Sequence, residues 1–120
     1  MAKEIVREKK EIKVEIGLNA EKLPVNLEWT APDEQGNAKQ QSCKAMLLSV
    51  FDRESAETFK IDLWTKDMQV VEMDRFFFQT LRAMADTYFK ATQNAKLATD
   101  MQRFVQYFGE QTEILKRDNS

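Results

Sequence analysis

The 120-residue chain has no histidine, one cysteine, two prolines and three glycines. Without histidine there is no Ser-His-Asp or Cys-His pair, no ordinary general base near neutral pH and no His-containing zinc site. A lone cysteine, Cys43, permits neither an internal disulfide nor a CxxC metal knuckle. It reads as a small apolar residue at a strand entrance, in keeping with a reducing compartment. Gly17, Gly36 and Gly109 lie far apart, so neither a phosphate-cradling loop nor a dinucleotide fingerprint is present. A calcium loop of the D-x-[DN]-x-[DN]-G kind is missing as well. With 18 basic against 20 acidic residues and a net charge of -2, the chain lacks the basic field that nucleic acid needs. Lys60 and Lys66 flank Trp64, but Asp62 and Asp67 in the same stretch cancel them. No apolar run reaches signal-peptide or bilayer length. These absences point to a non-enzymatic cytoplasmic protein with no cofactor, no metal, no nucleic-acid partner and no direct membrane insertion.

The composition is that of one globular domain over residues 1–120, with 42% hydrophobic and 32% charged residues. Residues 1–9 are charged almost throughout, and they and residues 117–120 are expected to fray.

The first half carries a strand period. Ile12, Val14, Ile16 and Leu18 alternate with Lys13, Glu15 and Gly17, and Leu23, Val25, Leu27 and Trp29 alternate with Pro24, Asn26 and Glu28. The short polar link Asn19–Lys22 makes these an antiparallel hairpin. Residues 32–42 read PDEQGNAKQQS, the longest polar stretch, expected as a mobile loop. The run from Ala45 to Phe51 is apolar on both faces, as in a central strand. After a turn over Asp52–Glu57, Phe59, Ile61 and Leu63 alternate with Lys60, Asp62 and Trp64 to give a fourth strand.

The second half has a helical period. Met73, Phe77, Leu81 (or Thr80), Met84 and Tyr88 recur at steps of three and four, with Asp67 as the expected cap. After Thr92-Gln93-Asn94 the stripe restarts with Leu97, Met101, Phe104, Phe108, Gln111 and Leu115. Gly109 sits inside it, so Gly109→Ala is expected to stabilise by about 0.5–1 kcal/mol. The fold class is therefore α+β: an antiparallel sheet of about four strands followed by two C-terminal α-helices.

Apolar surface is in surplus. Phe76, Phe77 and Phe78 span roughly 200° of a helix, wider than the stripe that one core buries. Along the strands, Met46, Leu48, Val50 and Trp64 are expected to share the sheet face that a two-layer packing leaves open. Together with Phe78 they form the candidate interaction surface, and they imply a homo-oligomer, a dimer or a tetramer, or a protein partner.

The segments Lys44-Ala45-Met46-Leu47-Leu48-Ser49-Val50-Phe51-Asp52 and Ile61-Asp62-Leu63-Trp64-Thr65-Lys66-Asp67-Met68 resemble the gliding motility protein GldC family. Glu28-Trp29, Phe76-Phe77, Gln79-Thr80-Leu81, Met84-Ala85-Asp86-Thr87, Asp100-Met101 and Tyr107-Phe108 fit it too, so that the likeness runs over about residues 10–112. The resemblance implies a small accessory protein of bacterial gliding motility and its associated secretion machinery, with no catalytic residues to carry over. Its partners would be other components of that machinery. The order of strands followed by two helices is also similar to that of the SecB export chaperone. That likeness suggests an alternative role in holding unfolded or lipoprotein clients.

Overall fold

The computed structural model describes residues 4–116. Strands β1 (Lys13–Leu18), β2 (Pro24–Pro32), β3 (Ala38–Cys43), β4 (Ala45–Phe51) and β5 (Thr58–Trp64) precede helices α1 (Val70–Thr92) and α2 (Ala95–Gln111). The α+β class and the order of strands before helices are those implied by the periodicity. The fraying expected at residues 1–3 and 117–120 falls outside the described residues, and residues 4–12 carry neither helix nor strand. The chain divides after Met68 into two compact units, one of strands and one of helices.

In the first unit β1 and β2 are antiparallel, with Val14 opposite Trp29 and Ile16 opposite Leu27. Opposite residues share a face, so these four side chains make one apolar face, while Lys13, Glu15, Glu28 and Thr30 make the wet one. Leu27, with 0% exposure, is the anchor of this sheet. The turn between the strands is held by Asn19, whose Oδ1 accepts the Glu21 and Leu23 N–H groups at 2.9 and 3.0 Å.

Residues 32–42 are not a loop. Only Asp33–Asn37 turns the chain: the Asp33 carboxylate accepts the N–H groups of Gln35 and Asn37 at 2.9 and 2.8 Å, and Gly36 takes φ of 85°. β3 then pairs antiparallel with β2 from Ala38 opposite Pro32 to Cys43 opposite Leu27. Its sequence, AKQQSC, is exposed up to Ser42. An edge strand solvated on both faces needs no apolar alternation, because the ladder of backbone hydrogen bonds holds it. The described residues accordingly form five strands in two sheets, β1-β2-β3 and β4-β5, in place of about four in one. Cys43 closes β3 where a strand entrance was expected. Burial pushes its thiol pKa up, against a smaller opposing pull from the Ala45 N–H.

Lys44 separates β3 from β4, and its carbonyl accepts the Thr65 N–H at 2.8 Å. One residue on, the Lys66 N–H donates to the Pro24 carbonyl at 2.9 Å. The Lys66–Pro24 bond ties β2 to the end of β5, next to Thr65, which is almost fully buried.

The second unit is an antiparallel helical hairpin. Asp67 does not cap α1; it accepts the Thr65 hydroxyl. Gln69 is the N-cap, and its N–H is met by Glu72 Oε1 at 3.0 Å, half of a capping box. α1 ends where Gln93 turns left-handed, with φ of 60°, and Asn94 caps α2 by accepting the Leu97 N–H at 3.1 Å. Phe78 and Ala85, seven residues apart on α1, are buried, as are Ala98, Val105 and Gly109 on α2. Ala85, Ala98 and Gly109 are small enough to let the two helices approach closely. α2 stops at Gln111, short of the expected Leu115. Glu113 takes φ of 63°, and Leu115 folds back so that its N–H donates to the Gly109 carbonyl at 3.0 Å.

Candidate interaction surface

The β4–β5 ribbon holds most of the residues that the sequence singled out. Its register sets Met46 opposite Leu63, Leu48 opposite Ile61 and Val50 opposite Phe59. These six side chains therefore share one face, without a polar residue among them. Leu48, Val50, Phe59 and Ile61 are each between 44% and 55% exposed. Ala45, Leu47, Ser49 and Phe51 point the other way, beside Trp64, Asp62, Lys60 and Thr58.

Two of the expected surface residues belong elsewhere. Trp64 is opposite Ala45, on the face away from Met46, Leu48 and Val50. Alternation within each strand was read correctly, but the register between them is fixed by the turn, where the Asp52 N–H donates to Glu57 O at 2.8 Å and the Ser55 N–H donates to Asp52 Oδ2 at 2.8 Å. The bond from the Ser55 N–H, helped by the Ser55 hydroxyl, also holds the Asp52 carboxyl below its usual pKa. Phe78 is the second correction: it is 4% exposed and packs inside the helical hairpin. The Arg82 guanidinium lies 5.2 Å from its ring centroid, a cation–π contact. A run of three phenylalanines does exceed one stripe, but it is Phe77, 38% exposed, that falls outside the core.

The residues that sequence reasoning left out of the surface are Phe59, Ile61 and Leu63. Their alternation was legible, and only their side of the ribbon was not. At the end of β5, Leu23, Pro24, Asp62, Leu63, Trp64 and Lys66 line a cleft of about 440 Å³. Asp62 is paired with Lys60 at 3.1 Å, an exposed pair that contributes little to stability. On the helical unit, Phe76, Thr80, Met84, Tyr88 and Met101 line a second open groove of about 600 Å³. Among the described residues no three of His, Cys, Asp and Glu converge as a metal site would require. No described helix is long and apolar enough to cross a membrane.

The family model described as gliding motility-associated protein GldC-like matches residues 24–114. The chain belongs to this GldC-like family. Membership associates it with gliding motility. The matched stretch runs from β2 to the turn after α2, so it contains the β4–β5 ribbon and both helices, while β1 precedes it. No curated protein and no solved structure matches the chain.

Proposed function

We propose that this GldC-like chain is a non-enzymatic cytoplasmic accessory of gliding motility and its associated secretion machinery, acting through protein–protein contact. The observation that carries the reading is the uninterrupted apolar face of Met46, Leu48, Val50, Phe59, Ile61 and Leu63. Folded monomers seldom leave contiguous apolar surface of this kind in water, and a two-stranded ribbon is marginal by itself. A homo-oligomer, a folded component of the machinery, or both would cover it.

The test replaces the native copy by an Ile61→Asp variant in the cell. Surface spreading should fall while the level and circular dichroism of the chain stay unchanged. Normal spreading at an unchanged level would remove the face from the function. The same exposed face favours one alternative, the holding of unfolded clients in the manner of SecB. The purified chain would then suppress aggregation of a chemically denatured reporter at stoichiometric ratio, and Ile61→Asp would abolish the suppression.

A further inference from the structure

Strand β4 is apolar on both faces, the pattern of a strand with neighbours on each side, yet among the described residues it pairs with β5 alone. Sheet edges are ordinarily protected by charge, proline or a bulge. β1 has Lys13 and Glu15, with a register shift between Gly17 and Leu18. β3 has Lys39, and β5 has Lys60 and Asp62. β4, Ala45-Met46-Leu47-Leu48-Ser49-Val50-Phe51, has none of these devices. Among the described residues no strand pairs with its outer edge, and the strand is uncharged along its length.

We infer that the free edge of β4 pairs with β4 of a second copy, antiparallel about a two-fold axis through Leu48. The occupant follows from the charge pattern. Joined in this way, the sheet runs β5-β4-β4-β5 and ends on both sides in strands carrying Lys60 and Asp62. Assembly therefore stops at two chains, whereas an uncharged strand from any other source would leave the second copy's edge open. The axis follows from the length. Leu48 is the midpoint of Ala45–Phe51, so full overlap places Leu48 opposite Leu48, Met46 opposite Val50 and Ala45 opposite Phe51. Opposite residues then fall on matching faces, as antiparallel pairing requires. The join deepens the interaction reading above and rests on it in one respect: it doubles the width of the apolar face that reading invokes.

The experiment uses the purified full chain in a Cys43→Ser background. Across the axis the two Leu48 Cα atoms lie about 4.5–5.5 Å apart, within disulfide range, so Leu48→Cys should link most chains as dimers under mild oxidation. Two Ser49 Cα atoms lie about 8 Å apart, from a rise of 3.4 Å per residue and a strand spacing of 4.8 Å, so Ser49→Cys should not link. Light scattering gives an independent measure. The native chain should show twice its 14.0 kDa mass, and Leu48→Lys, which sets like charges against each other on the axis, should halve it without loss of strand signal. A native mass of 14.0 kDa overturns the pairing and leaves a different protein as the partner in the interaction reading. A dimer that survives Leu48→Lys and fails to link through Leu48→Cys also overturns it, because the copies then meet elsewhere. Failure of motility in the Ile61→Asp cell is read separately and bears on neither result.

Discussion

Gly109 of α2 lies directly against Phe78 of α1: a Cβ added at Gly109 would stand 2.6 Å from Phe78 Cε1 and 2.7 Å from Leu115 Cδ1. Helix propensity alone favours Gly109→Ala by up to about 1 kcal/mol, and that was the expectation from sequence. Overpacking of a fitted site costs about 1–3 kcal/mol and wins here, since the nearest atom is the edge of a buried ring. Chemical denaturation should show Gly109→Ala destabilised by about 1–2 kcal/mol. Adding Phe78→Leu should return part of the loss. A more stable Gly109→Ala protein would mean that the helices separate at this point at little cost.

Gly109 also marks where sequence reasoning stops. The helical stripe through Leu97, Met101, Phe104 and Phe108 was legible because amphipathic period is written along one element. That Gly109 is a contact surface for Phe78 depends on how two elements cross, which no single period encodes. The same division runs through the sheets. Alternation placed β1, β2, β4 and β5, whereas β3 was invisible because an exposed edge strand is held by its backbone and not by its side chains. The interaction surface was half legible for a related reason. Met46, Leu48 and Val50 follow from alternation in β4, but whether Ile61 or Trp64 joins them depends on the parity of a turn, and a one-residue slip exchanges the faces.

The Asp33 carboxylate should be what makes β3 a strand. It organises the five-residue turn by accepting two backbone N–H groups, and Asp33→Ala would leave both to water. Removal of such an exposed turn contact is expected to cost about 1 kcal/mol, and Asp33→Asn, which keeps an acceptor, should cost less. Hydrogen exchange offers the local measure: the Asp33 N–H bonds the Asn37 carbonyl, so the alternation of the ladder turns the Lys39 and Gln41 amides toward β2, and these should exchange faster in Asp33→Ala. Unchanged exchange there would mean that the β2–β3 ladder needs no help from its turn.

Asp67 is held below the ordinary aspartate pKa of 3.8, first by the hydrogen bond from the Thr65 hydroxyl and then, against a desolvation cost, by the Lys44 ammonium. A depressed folded-state value makes the contribution complete above that ordinary value and lost as pH falls through the folded one. Thr65→Val should therefore raise the carboxyl titration of Asp67 toward 3.8, and Thr65→Ser should leave it low. The stability gap between wild type and Thr65→Val should narrow as the pH falls below that value. Identical Asp67 titration curves in wild type and Thr65→Val, followed by carbon-detected NMR, would assign the shift to another group.

The register of the ribbon can be tested without a structure, through the coupling between side chains. Leu48 is directly opposite Ile61, and Trp64 is on the reverse face, opposite Ala45. Side chains opposite one another on a face are coupled by about 0.2–1 kcal/mol, while separated pairs add to within about 0.3–0.5 kcal/mol. A double-mutant cycle of Leu48→Ala with Ile61→Ala should thus show a coupling resolvable by denaturant titration, and one of Leu48→Ala with Trp64→Ala should be additive. The cycles must be run at concentrations where the state of association is the same for every variant, because Leu48 also lies on the inferred two-fold axis. Coupling between Leu48 and Trp64 with none to Ile61 would shift the pairing by one residue. It would restore the face that alternation alone suggested, and would remove Phe59, Ile61 and Leu63 from the interaction surface.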